Sequence, residues 1–136
     1  MKLFENNNIE IYDYTGESYE PTMNFGAWRV AFMNYADELE KLNKYERHLE
    51  TDEVFVLLQG KATLVVGEEQ EEHKMEKFKI YNVRQGVWHG IVYSKDARVL
   101  IVENHNTSDE NSEKYFLNPP KAVELYGHFT HILKEF

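Results

Sequence analysis

Residues 46–60, ERHLETDEVFVLLQG, set one histidine among acids directly before an apolar run that ends on Gln59-Gly60. The run from Asp52 to Leu58 reads as a strand, and Gly60 supplies the glycine of a tight turn. The returning strand is KATLVVG, residues 61–67. Working outward, GEEQEEH (67–73) is a polar hairpin tip whose acids read as a solvated loop. MEKFKIYNV (75–83), VWHGIVYS (87–94) and ARVLIVEN (97–104) are further strands, parted by the turns RQG and KD. Upstream, IEIYDYT (9–15) and FGAWRVAFMNY (25–35) are also β-rich. Many short strands joined by brief turns predict an all-β sandwich or barrel.

Two segments read as helical. DELEKLNK (37–44) is built of good helix formers. The tail, residues 119–136, has Asn118 as N-cap and prolines at its first positions. Its residues Ala122, Leu125, Phe129, Ile132 and Phe136 recur at three-to-four spacing and make one apolar face. Gly127 weakens that helix by about 1 kcal/mol relative to Ala. The face is expected to pack on the outside of the β-core or on a second subunit. Trp28, Phe55, Leu57, Leu64, Val66, Ile91, Leu100 and Val102 are the expected core.

The chain has 136 residues, which fits one domain, 1–136. At 42% hydrophobic and 14% aromatic it carries enough apolar material for a core. Fifteen basic against 24 acidic residues give a net charge of −9. Such a chain repels phosphate backbones, and its Lys41, Lys44 and Arg47 are interleaved with Glu38, Glu40 and Glu46. Nucleic acid is therefore not expected as a partner. No cysteine is present, which excludes disulfides and thiolate metal sites and suits a reducing, cytoplasmic setting. The start MKLFENNNIEIY does not read as a secretory signal, and no apolar run is long enough to span a bilayer.

The chemistry-bearing residues are histidines and acids around the opening stretch. In a strand, alternate side chains share a face, so Glu46 and His48 point the same way if YERH is extended. Val87, His89, Ile91 and Tyr93 likewise share one face, with Trp88 on the other. A closed or sandwiched sheet can bring Glu46, His48, Glu53 and His89 together. Two imidazoles with one or two carboxylates suit a divalent ion such as Mn, Fe, Zn or Ni. Arg29 and Arg84 are candidates to meet an anionic substrate through their guanidinium forks. Arg29 has the parity to point inward, and Tyr93 beside His89 has a hydroxyl to offer as a proton or hydrogen-bond donor. His128 and His131 share a face of the expected tail helix; His73 and His105 sit in polar loops.

Here the residues resemble a family. His48, Glu53 and Gly60 keep the spacing of the first motif of the cupin superfamily: His, four residues, Glu, six residues, Gly. RQGVWH (84–89) resembles the core of its second motif, with Gly86 and His89 in register. The resemblance covers roughly residues 28–103. Within the superfamily, ETDEVFVLLQGKATLVVG (50–67) and VLIVENHNTSDENSE (99–113) resemble small single-domain bacterial cupins labelled ureidoglycolate lyase- or hydrolase-like. Four positions depart from the pattern: Glu46 replaces a motif histidine, Arg84 the proline, Tyr93 the closing asparagine and Phe78 the opening glycine.

The resemblance implies a single cupin domain, a double-stranded β-helix or jelly-roll-like barrel, here with a C-terminal helix. It also implies a homodimer and a site in the barrel mouth. His48, Glu53 and His89 are the implied metal ligands, with Glu46 as a fourth ligand or a base. The implied function is a metal-dependent enzyme, lyase- or hydrolase-like, acting on a small carboxylate-bearing metabolite. The alternative is a non-catalytic binding or sensor module whose metal site is degenerate, and Glu46 is the position on which the two part.

Overall fold

The computed structural model describes residues 1–16, 18–34 and 41–125. Twelve strands run in order along them. They are β1 (Lys2–Glu5), β2 (Glu10–Tyr12), β3 (Glu20–Phe25), β4 (Trp28–Asn34), β5 (Lys41–His48) and β6 (Glu53–Gln59). Then come β7 (Ala62–Val66), β8 (Glu71–Lys74), β9 (Tyr81–Val83), β10 (His89–Tyr93), β11 (Arg98–Asn104) and β12 (Ser112–Ala122). A single 3-10 turn, Asp109–Asn111, precedes β12. Strands β12-β5-β10-β7-β8 form one five-stranded sheet and β3-β4-β11-β6-β9 the other, while β1 and β2 make a separate hairpin. The named strand pairs are all antiparallel.

The core lies between the sheets. Phe55 and Leu57 of β6, Ala31 of β4, and Val99 and Ile101 of β11 meet Ala62 and Leu64 of β7 and Tyr93 of β10. Inward side chains from two facing sheets make such a core. Gly60 explains the β6–β7 turn: its φ is +77°, and a Cβ there would stand 2.7 Å from Ala97 Cα. Only a residue without a side chain fits both conditions.

The barrel expectation is corrected: among the described residues no strand pairing joins the two sheets into a closed barrel. The expected C-terminal helix is corrected too. Pro119 and Pro120 lie within β12 rather than at a helix start. Proline is tolerated there because β12 is an edge strand, and the pairing register shifts between Phe116 and Lys121 around the two prolines. Val123 is buried and Leu117 and Leu125 pack beside it, on a second cluster with Leu42, Tyr45, Val65, Val92 and Trp88. The described part of the tail therefore does cover apolar residues, but not as a helix. Phe129, Ile132, Phe136, His128 and His131 lie outside the described residues.

The helical reading of residues 37–44 fails at Lys41–Lys44, which open β5; residues 37–40 are outside the described set. Pairing with β12 along the strand overrides the local helix propensity. Trp28 is not core: it is exposed and lies against Phe25 at the β3–β4 turn. On β11 the buried residues are Val99, Ile101 and Glu103, while Leu100 and Val102 are only half-buried on alternate positions. No helix of the described residues is long and apolar enough to cross a membrane.

Candidate metal centre

The strands deliver three ligand-bearing side chains to one point. Glu53 opens β6 and alternates inward with Phe55 and Leu57. His48 closes β5, and His89 opens β10, where it pairs with Glu46. Gly86, before β10, has φ +78° and donates its N–H to His48 O at 2.8 Å, so the motif glycine ties the two histidine strands together. Gly90 lets β5 approach β10, since a Cβ there would meet Lys44 O at 2.8 Å.

His48 Nε2 and His89 Nε2 lie 3.0 Å and 2.9 Å from the same atom, Glu53 Oε1. All three side chains are buried. The opposite ring nitrogens are held as well. His89 Nδ1 is 3.0 Å from the Val87 carbonyl, which can only accept, so Nδ1 carries a proton. His48 Nδ1 is 2.7 Å from Ser112 Oγ. In a neutral His89, therefore, the Nε2 lone pair faces a carboxylate oxygen, and a cation must lie between them to make the contact attractive. Burial alone would raise the Glu53 carboxyl, but the His48 and His89 imidazoles outweigh it and hold it down to about 2. Burial lowers His48, yet Glu53 wins and the ring stays above its usual range.

A divalent ion meets the same demand for both rings at once. The three ligand atoms lie within 4.8 Å of one another. Two imidazole nitrogens and a carboxylate oxygen are donors that Mn, Fe, Zn and Ni accept. The Val87 and Ser112 contacts fix each ring's orientation, the usual role of a metal ligand's outer partner. The residues present fit the metal.

The trio faces a cavity of about 550 Å³. Arg29, Glu46 and Tyr93 also line it. Glu46 stands outside the trio, with its carboxylate 3.7 Å from Lys44 Nζ. Burial pushes the Tyr93 hydroxyl up to about 12. Arg84 is exposed in the turn before β10 and does not line the cavity; its charge acts on Asp52 instead. Arg29 points inward, but it is already engaged. Its Nε and Nη2 donate to Glu103 Oε2 at 3.1 and 2.8 Å, and its Nη1 donates to the His105 carbonyl.

Sequence reasoning missed three residues here: Ser112, Tyr19 and Glu103. Glu103 is buried on the cavity wall, and Tyr19 donates its hydroxyl to Glu103 Oε2. Burial, and then the Glu53 carboxylate, raise the Glu103 carboxyl. The signal that could have found it is the alternation of β11, where Glu103 continues the inward series of Val99 and Ile101.

No protein-family model matches the chain, and no curated protein matches it significantly. Solved structures do. A cupin-2 domain protein from Shewanella frigidimarina is 15% identical over 68% of this chain and 85% of its own, with a TM-score of 0.54. An RmlC-like cupin from Methanocaldococcus jannaschii, with a double-stranded β-helix fold, is 17% identical over 76% of this chain and 88% of its own, with a TM-score of 0.52. Streptomyces Pac13, a nucleoside dehydratase, is 9% identical over 85% of this chain and 92% of its own, with a TM-score of 0.58. At these identities the likeness speaks for architecture alone: the chain has the cupin fold.

Proposed function

We propose that the cavity is the site of a metal-dependent enzyme, of lyase or hydrolase type, acting on a small carboxylate-bearing metabolite. The observation that carries this reading is the convergence of His48 Nε2 and His89 Nε2 on Glu53 Oε1 in the cavity wall. A bound divalent ion would supply Lewis-acid polarisation of a carbonyl or carboxylate oxygen. The chain's own residues do the rest. Phe55 and Ile101 give the cavity an apolar wall, which strengthens every charge interaction inside it. Lys44 and Lys114, on adjacent strands, also line the cavity, Lys44 3.7 Å from Glu46 and Lys114 3.2 Å from Asp109, and a substrate carboxylate would share their charge with those acids. Glu46, opposite His89 and half-buried, is placed to take a proton from substrate. Tyr93, kept protonated by burial, is placed to donate a hydrogen bond.

Fold neighbours include an enzyme, the nucleoside dehydratase Pac13, so this architecture can carry catalysis. The resemblance of residues 50–67 and 99–113 to ureidoglycolate lyase-like cupins makes carbon–nitrogen cleavage of ureidoglycolate the first reaction to assay. Exposed Leu3, Phe4, Ile9 and Ile11 on the β1–β2 hairpin favour a homodimer, which light scattering would measure.

The test is metal analysis of protein purified without a histidine tag. About one ion of Mn, Fe, Zn or Ni per chain is expected, lost in His89→Ala. A chain that takes up none of these ions when offered them overturns the reading. Metal uptake and ligand binding without turnover would instead assign the cavity to a binding module.

A further inference from the structure

We propose that the cavity takes an elongated acid, with one carboxylate at the His48, Glu53 and His89 end and a second, hydrogen-bond-accepting end group at Tyr93. The inference rests on the reading of the cavity as an acid site and narrows the acid to chains that reach both ends. The two sheets give the length independently. On β10, His89 and Tyr93 both line the cavity and lie four residues apart on one face of the strand. On β4, in the other sheet, Arg29 and Met33 both line it, again four residues apart. Arg29 belongs to the trio's end, through Glu103, and Met33 packs with the cluster that holds Tyr93. Four residues of β-strand span about 13 Å. The middle of this length is apolar: Ile91 stands between His89 and Tyr93, and Phe55 and Ile101 line the cavity from the other sheet.

Tyr93 supplies the far contact. The residue is 8% exposed. Among the described residues nothing hydrogen-bonds its hydroxyl: burial and the charge of Tyr14 are what act on it, and the Tyr14 hydroxyl itself donates to the Ser18 carbonyl. Nor is the Tyr93 oxygen sealed within the protein, as the unpartnered Tyr45 hydroxyl is, so it opens onto the cavity. A buried hydroxyl without a partner calls for one, and the end group of a ligand supplies it. Lys41, at the end of β5 away from His48, lines the cavity too. An ammonium only donates, so the two groups together suit an anionic acceptor, a carboxylate.

The probes are suberate and octanoate, acids of equal chain length that differ by a carboxylate in place of the terminal methyl group, and succinate, a diacid too short to reach both ends. Each is titrated calorimetrically into the full chain, once metal-loaded and once with EDTA. The near carboxylate is common to all three, so their ratios read the far end in either state. Suberate is expected to bind at least about tenfold more tightly than octanoate or succinate, the usual size of a hydrogen bond to a charged group. In Tyr93→Phe its advantage over octanoate is expected to fall to about threefold or less. The comparison with succinate needs no variant, so the test stands even if Tyr93→Phe does not fold. Suberate binding no tighter than octanoate or succinate, no binding of any of them, or an advantage unchanged in folded Tyr93→Phe would overturn the proposal. Metal content measured on the same samples tests the metal centre separately, so either reading can fail alone.

Discussion

Replacing Glu53 by glutamine keeps the side chain's shape and removes its charge, and the cost of that change should depend on pH. In the folded, metal-free chain the carboxyl titrates at about 2 rather than at the ordinary 4.5, because two imidazoles share its Oε1. At about 1.4 kcal/mol per pH unit, the ionised carboxylate contributes roughly 3 kcal/mol relative to its neutral form. A depressed carboxyl contributes fully above its unfolded value and loses that contribution as pH falls through its folded value. The stability gap between wild type and Glu53→Gln should therefore be roughly 3 kcal/mol near pH 5.5, should have fallen to roughly half near pH 3, and should close near pH 2. Urea unfolding in EDTA, followed by circular dichroism at those pH values, measures the gap directly. A gap that stays constant from pH 5.5 to pH 3 would refute the claim that Glu53 is held ionised by His48 and His89.

Other outcomes follow from the same geometry. Metal binding needs neutral imidazoles, and Glu53 keeps His48 protonated to higher pH than usual, so apparent metal affinity should fall by more than about tenfold between pH 8 and pH 6; a flat profile in chelator competition would argue against these ligands. Ser112→Ala removes the partner of His48 Nδ1 and should weaken metal binding about tenfold while Ser112→Thr restores it, with melting temperature little changed in either. Gly60→Ala forces a side chain into a +77° φ and against the Ala97 backbone, and should cost about 2–4 kcal/mol in thermal unfolding. Leu57→Ala, at the centre of the core, should cost about 2–5 kcal/mol by the same measurement.

Most central strands were legible because alternation is a local rule, and the metal trio because its spacing resembles the cupin motifs; the exception is residues 71–80, where β8 (Glu71–Lys74) falls in the stretch read as a solvated tip and residues 75–80, read as strand, precede β9. Alternation put Val87, His89, Ile91 and Tyr93 on one face and Trp88 on the other, and the structure packs Val87, Ile91 and Tyr93 with one apolar cluster and Trp88 with the other. The fixed spacing of His48, Glu53 and Gly60 matched a turn that admits only glycine. On β11 the same rule failed. The run RVLIVE is apolar on both faces, so alternation there has no contrast to read, and choosing Leu100 and Val102 as core turned Glu103 outward on paper. The prolines misled for a related reason: a proline pair suits a helix start and an edge strand equally, and only the pairing of β12 with β5 distinguishes them.

The sequence by itself determined the all-β class and the turn glycines, which follow from side-chain periodicity and backbone sterics acting within a few residues. That His48, Glu53 and His89 are ligand candidates came from the resemblance of their spacing to the cupin motifs, and Glu46 stood beside them as a fourth. Only the tertiary structure decided that the tail continues as an edge strand, that Arg29 is spent on Glu103, that Glu46 leans to Lys44, and that Ser112 holds His48 from 64 residues away. Each of these is a choice between hydrogen-bond or charge partners far apart in the chain, and such a choice exists only once two sheets have closed over a common cavity.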